Sequence, residues 1–82
     1  MTVNVRFMCV DIPVGLGNGC IELEIGATVE TAIRHCRDIY AIEMTIGELL
    51  KSYFLVNTRP ANIEQVLVEG DNLTVVRPLA GG

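Results

Sequence analysis

No stretch of this sequence is apolar for more than four residues in a row, as at residues 7–10, so nothing in it reads as a membrane span. The start of the chain lacks a basic region followed by a long apolar stretch, so no secretory signal is expected. Cationic clusters are also missing. Six Lys and Arg stand against ten Asp and Glu, a net charge of −4 with a pI near 4.7. That balance argues against nucleic acid, whose phosphates need clustered Lys and Arg, and suits a partner with a basic surface. Cysteine pairing is absent too. Cys9, Cys20 and Cys36 are odd in number and show no C-x-x-C spacing, so they read as reduced thiols in a cytoplasmic protein.

What is present describes one small domain. The chain has 82 residues, half of them hydrophobic and a fifth charged, a globular rather than a disordered composition. Residues 3–9 alternate strictly, with Val3, Val5, Phe7 and Cys9 on one face and Asn4, Arg6 and Met8 on the other, the period of a half-buried strand. Residues 11–19 break the pattern with Pro13, Gly15, Gly17, Asn18 and Gly19 and read as a long hairpin loop. The glycines are no nucleotide cradle, because no helix and no Lys-Ser/Thr pair follows them. Alternation resumes from Cys20, with Ile21, Leu23 and Ile25 expected inward, Glu22 and Glu24 outward, and Gly26 ending the strand.

A helix is expected next. Thr28 is its N-cap, and Val29, Ala32, Ile33, Cys36, Ile39 and Tyr40 form one apolar stripe. Glu30 and Arg34 make an i,i+4 pair, and Arg37 near the end suits the helix dipole. Thr45 and Glu48 have the spacing of a capping box before a helical turn at Ile46, Leu49 and Leu50. A strand follows at residues 53–56, then turn chemistry at Asn57, Thr58, Arg59 and Pro60, with Arg59 held extended by the proline. Residues 63–68 fit either an irregular strand or a helical turn. Residues 69–72 form a turn in which Asp71 serves the backbone, and residues 73–76 form the last strand, ended by Pro78.

One amphipathic helix needs one sheet face to cover. The expected architecture is α+β, a β-grasp: a mixed four- or five-stranded sheet packed on one main helix, with the last strand beside the first. A crossover from the second strand through the helix to a parallel strand would be right-handed. The domain is expected over residues 1–76, with residues 77–82 a flexible tail. That tail, Arg77, Pro78, Leu79, Ala80, Gly81 and Gly82, ends in two residues without a Cβ, thin enough for a narrow channel.

The order of Val56 and Asn57, Leu67 and Val68, then Glu69-Gly70-Asp71-Asn72-Leu73, then Val76 through the terminal Gly-Gly, resembles the ThiS/MoaD sulfur-carrier proteins. The likeness reaches back to Val5-Arg6-Phe7 and to the helix start at Ala27-Thr28-Val29, and is most specific over the last 27 residues or so. The chain departs from the family pattern in the glycine-rich 11–19 loop, the compact 43–52 stretch and the Thr-Arg-Pro after Asn57. The resemblance implies that the Gly82 carboxylate is adenylated by a ubiquitin-activating-like enzyme using ATP and magnesium. Sulfur then displaces AMP to give a thiocarboxylate for a sulfur-accepting synthase subunit. Gly81, Ala80, Leu79, Pro78 and Arg77 would dock the tail. The chain itself would bind no cofactor and no metal, and would be a co-substrate rather than an enzyme. The molybdopterin-type carrier fits slightly better than the thiamine type.

Other readings stand beside this one. A ubiquitin-like modifier would join the same Gly82 to lysines, and a plain binding module would leave the tail idle. A zinc site of Cys and His35 is disfavoured, because Cys9 and Cys36 fall on apolar faces and His35 on a polar one. Glu22, Glu24, Glu30 and Asp38 read as solvated. Phe7, Met8, Tyr53 and Phe54 are the pool from which an exposed apolar partner surface could be drawn.

Overall fold

The computed structural model describes residues 1–9, 19–39 and 46–77. The strands are β1 (Thr2–Cys9), β2 (Gly19–Glu22), β3 (Tyr53–Val56), β4 (Arg59–Ala61) and β5 (Asn72–Arg77), and the helices are α1 (Val29–Ile39) and α2 (Ile46–Leu50). One sheet holds all five strands in the order β2-β1-β5-β3-β4. β5 lies between β1, to which it is parallel, and β3, to which it is antiparallel. The last strand therefore runs beside the first, as the element order predicts.

The period-two pattern turns directly into packing. Val3, Val5, Phe7, Ile21, Phe54, Val56, Leu73 and Val75 are buried on one face of the sheet. Against them lie Val29, Ala32, Ile33 and Cys36 of α1, all fully buried, with Leu49 of α2 and Leu67. Burial of side chains of this kind contributes roughly 1.5–3 kcal/mol each and is what holds so small a domain together.

The start of α1 is closed from two sides. The Thr28 hydroxyl accepts the Thr31 N–H at 3.4 Å, the expected cap. The N–H groups of Val29 and Glu30, which have no partner inside the helix, donate to the carbonyls of Gln65 and Ile63 at 3.0 Å each. Residues 63–68 are thus neither a strand nor a helical turn. They form an irregular connection, a turn at residues 63 and 64 closed by the Gln65 N–H to the Asn62 carbonyl and then a single bridge between Thr28 and Val66, that caps α1 and buries Leu67. The pair Arg34–Glu30 forms at 2.9 Å.

Three further expectations change. Ile25 is not inward but 94% exposed. β2 ends at Glu22, the Ala27 N–H bonds back to the Glu24 carbonyl, and Gly26 takes φ 94°, so a turn throws Ile25 out before alternation could bury it. Arg59 is extended, as the proline after it predicts, but it and Pro60 belong to β4 rather than to the turn, paired antiparallel with Val56 and Leu55. The turn is only Asn57 and Thr58, both at positive φ. Pro60 is tolerated because β4 is an edge strand. Gly19, assigned to the loop, is the first residue of β2 and pairs with Val5. The rest of that loop, Tyr40 and Thr45 lie outside the described residues, as do the side chains of Cys9, Ile39, Ile46, Glu48 and Arg77.

Candidate functional site

The helix covers one face of the sheet, and alternation sends the other set of side chains to the opposite face. Cross-strand register arranges them in rows. Met8, Val76 and Tyr53 stand side by side on β1, β5 and β3. The next row is Arg6, Thr74 and Leu55, continued to Pro60 on β4. The last is Cys20, Asn4 and Asn72. Met8 and Tyr53 are 56% and 69% exposed, while Val76 and Leu55 are half-buried. Of the four apolar residues considered for a partner surface, the structure therefore keeps Met8 and Tyr53 and buries Phe7 and Phe54.

The apolar row adjoins the place where β5 ends. Arg77, the first residue assigned to the tail, is the last of β5 and stands opposite Cys9 of β1. Pro78, Leu79, Ala80, Gly81 and Gly82 lie outside the described residues. Because β5 is a central strand bonded on both sides, the chain that follows Arg77 begins from a fixed corner of the sheet, one residue beyond the Met8–Val76–Tyr53 row.

The opposite end of the face is polar. The Cys20 thiol donates to Asn4 Oδ1 at 3.0 Å, and Asn4 Nδ2 donates to Asn72 Oδ1 at 3.1 Å. The Asn72 backbone N–H donates to Asn57 Oδ1 at 2.9 Å, and Asn57 Nδ2 donates to Asp71 Oδ1 at 2.8 Å. The other Asp71 oxygen accepts the Val68 N–H at 2.8 Å. Asp71 is thus the turn residue expected from sequence, and it also ties the β3–β4 turn to the start of β5. A shallow groove of about 660 Å³ lies over these side chains. It reaches Arg6 and Thr74 of the middle row, about 7 Å along the strands from the row beside Arg77, and shares no residue with that row.

Among the described residues, neither end holds a catalytic constellation. Burial pushes the Cys36 thiol up to about 12, which leaves it a packed hydrophobe and no nucleophile. Among the described residues, no three His, Cys, Asp or Glu side chains converge as a metal site would require. Also among the described residues, no helix is long and apolar enough to cross a membrane.

The arrangement matches solved structures along its whole length. A crystal structure of small archaeal modifier protein 1 from Haloferax volcanii superposes with a TM-score of 0.82 at 16% identity, covering 100% of both chains. A second structure of that modifier gives 0.78 at 19% identity, over 95% of this chain and 98% of that one. A candidate molybdopterin converting factor, subunit 1, from Pyrococcus furiosus gives 0.71 at 23% identity, over 96% of this chain and 99% of that one. The fold is a ubiquitin-like β-grasp. No protein-family model and no curated protein matches the sequence. At these identities the β-grasp is shared in shape. Sequence reasoning missed Val76 and Leu55 on the open face of the β-grasp, as well as the asparagine ladder. The signal was available in the alternation of β5 and β3, which places these residues opposite the buried Leu73, Val75, Phe54 and Val56.

Proposed function

We propose that this chain is a carrier whose C-terminal Gly82 is activated by a ubiquitin-activating-like enzyme in the cytoplasm. The observation that carries this reading is the end of β5: a central strand delivers the chain to one corner of the sheet beside the exposed Met8 and Tyr53, and the residues that follow are Pro-Leu-Ala-Gly-Gly. The folded face gives a partner something to grip, and Gly81 and Gly82 have no side chain to obstruct a narrow active site.

The chemistry needs nothing catalytic from the chain. The Gly82 carboxylate attacks the α-phosphorus of ATP, held with magnesium in the partner, and pyrophosphate leaves. The acyl-adenylate carbonyl is then open to a sulfur nucleophile, which displaces AMP and leaves a thiocarboxylate. That sulfur passes to an acceptor held by a synthase subunit, of the molybdopterin type in preference to the thiamine type. Arg77, Pro78, Leu79 and Ala80 dock the tail while Gly82 reacts. The shape shared with a candidate molybdopterin converting factor subunit supports this reading.

A second reading draws support from the shape shared with a small archaeal modifier protein: the same activated Gly82 forms an isopeptide bond with a lysine. Intact-mass spectrometry of the chain isolated from cells that express the activating enzyme separates the two. Replacement of one oxygen by sulfur at Gly82 supports the carrier, and masses of lysine conjugates support the modifier. A chain deleted of Gly82 is expected to fold normally and to take up neither sulfur nor AMP.

A further inference from the structure

β2 is the outermost strand on its side of the sheet, and among the described residues no strand pairs with its outer edge. Its pairing with β1 fixes which backbone groups point outward. Met1 and Leu23 exchange both bonds, the Met1 amino nitrogen to the Leu23 carbonyl at 2.6 Å and the Leu23 N–H to the Met1 carbonyl at 2.8 Å. In an antiparallel ladder such pairs alternate with pairs that exchange none, so Ile21 bonds to Val3 while Glu22 and Cys20 turn their N–H and C=O groups away from β1. That edge is a ready template for another strand.

Beside it, on the helix side, lies an open hollow of about 440 Å³ between the end of β2 and α1. Leu23, Ala27 and Thr31 line it, and Ile25, 94% exposed, stands in its wall. Glu22, Glu24 and His35 border it, with the Glu22 carboxylate turned to the open side of the sheet. Glu22 accepts the Thr2 hydroxyl and lies 3.8 Å from the Met1 amino nitrogen, and its side chain is still 76% exposed.

We propose that the outer edge of β2 docks an extended segment of a partner protein in which basic and aliphatic residues alternate, added to the sheet as an outer strand. Backbone bonds to Cys20 and Glu22 give the affinity. Side chains alternate across the added strand, so every second one reaches the hollow, where an aliphatic group meets Leu23, Ala27 and Ile25. The intervening ones reach the open side, where a lysine or arginine meets the Glu22 carboxylate. The acidic lining and the chain's net charge of −4 favour this basic occupant over an acidic one. The site lies on the β2 edge, away from Arg77, and does not depend on activation at Gly82.

The test is a titration of the isotope-labelled full chain with a short blocked peptide of alternating lysine and isoleucine, followed by amide NMR shifts. Saturable shifts are expected over residues 19–27 and at Thr31 and His35. Glu22→Pro removes an outward N–H without removing a bond to β1, and is expected to weaken binding about tenfold. Ile25→Ser and Glu24→Gln are expected to weaken it severalfold, the latter with a shallower salt dependence. The same peptide with glutamate for lysine is expected not to bind, and deletion of Gly82 to change nothing. If Glu22→Pro disturbs the fold, Glu22→Gln with the salt series replaces it. The proposal is overturned by an absence of saturable shifts at millimolar peptide, by shifts centred on Met8, Val76 and Tyr53, or by unchanged affinity in the edge variants.

Discussion

Thr58 sits at φ 69°, directly after Asn57 at φ 52°. An asparagine adopts this left-handed region readily, whereas a β-branched residue crowds its own carbonyl there. Thr58→Gly is therefore expected to stabilise the domain by about 0.5–1 kcal/mol, the relieved strain less the added freedom of the unfolded glycine, which denaturant midpoints would register. Asp71 presents the opposite case. It is 7% exposed, and both its oxygens are bonded, to the Val68 N–H and to Asn57 Nδ2. Asp71→Ala leaves both donors without their acceptor and is expected to cost about 1–3 kcal/mol, measured by the same denaturation. Sequence reasoning identified Asp71 as a turn residue, but its bond to Asn57 spans 14 positions and no local pattern encodes it. Cys20 and Cys36 separate by burial. Cys36 keeps its proton in the folded chain until about pH 12, against 9.0 for a free thiol. Because the folded value is raised, the stability this supplies is complete below about pH 9 and is lost as pH rises towards 12. Urea midpoints should fall across that window, and Cys36→Val should remove that part of the fall. In the native chain at neutral pH, a thiol reagent is expected to modify the exposed Cys20 and spare Cys36, as peptide mass mapping would show.

At the scale of elements, the strands and the helix that pack on one another were legible because burial imposes a period on them. β1 and α1 show their periods plainly, and the described residues of both stripes, Val3, Val5 and Phe7 on the strand and Val29, Ala32, Ile33 and Cys36 on the helix, are buried in the fold. The misreadings fall where no period can form. β4 is three residues long and carries a proline, so its pairing comes from the turn at Asn57 and Thr58 rather than from alternation. The 63–68 connection takes its form from α1, whose first free N–H groups it accepts, and that is a tertiary bond absent from local pattern. Ile25 obeyed alternation by sequence, but Gly26 at φ 94° turned the chain first. The α1 stripe makes the clearest element-level prediction. Ile33 is fully buried against the sheet, so Ile33→Ala is expected to cost about 2–5 kcal/mol and to leave much of so small a domain unfolded, which circular dichroism and a denaturant titration would report.

As a whole molecule, the chain places an apolar row beside the corner from which its last residues leave, and places no catalytic cluster among its described residues. The sequence reading starts a tail at Arg77, and the fold sets beside the end of β5 the row of Met8, Val76 and Tyr53, brought together by two strand pairings from distant parts of the chain. No reading of one strand alone could assemble that row. The carrier account makes Gly82 the single reacting group and the sheet face its handle. The direct test is the intact mass of the chain after incubation with a cognate activating enzyme, ATP, magnesium and a sulfur source. The account predicts one oxygen replaced by sulfur, mapped by fragmentation to Gly82, with no such product from the chain lacking that residue. An unmodified mass, or sulfur mapped to Cys20 instead, would contradict it.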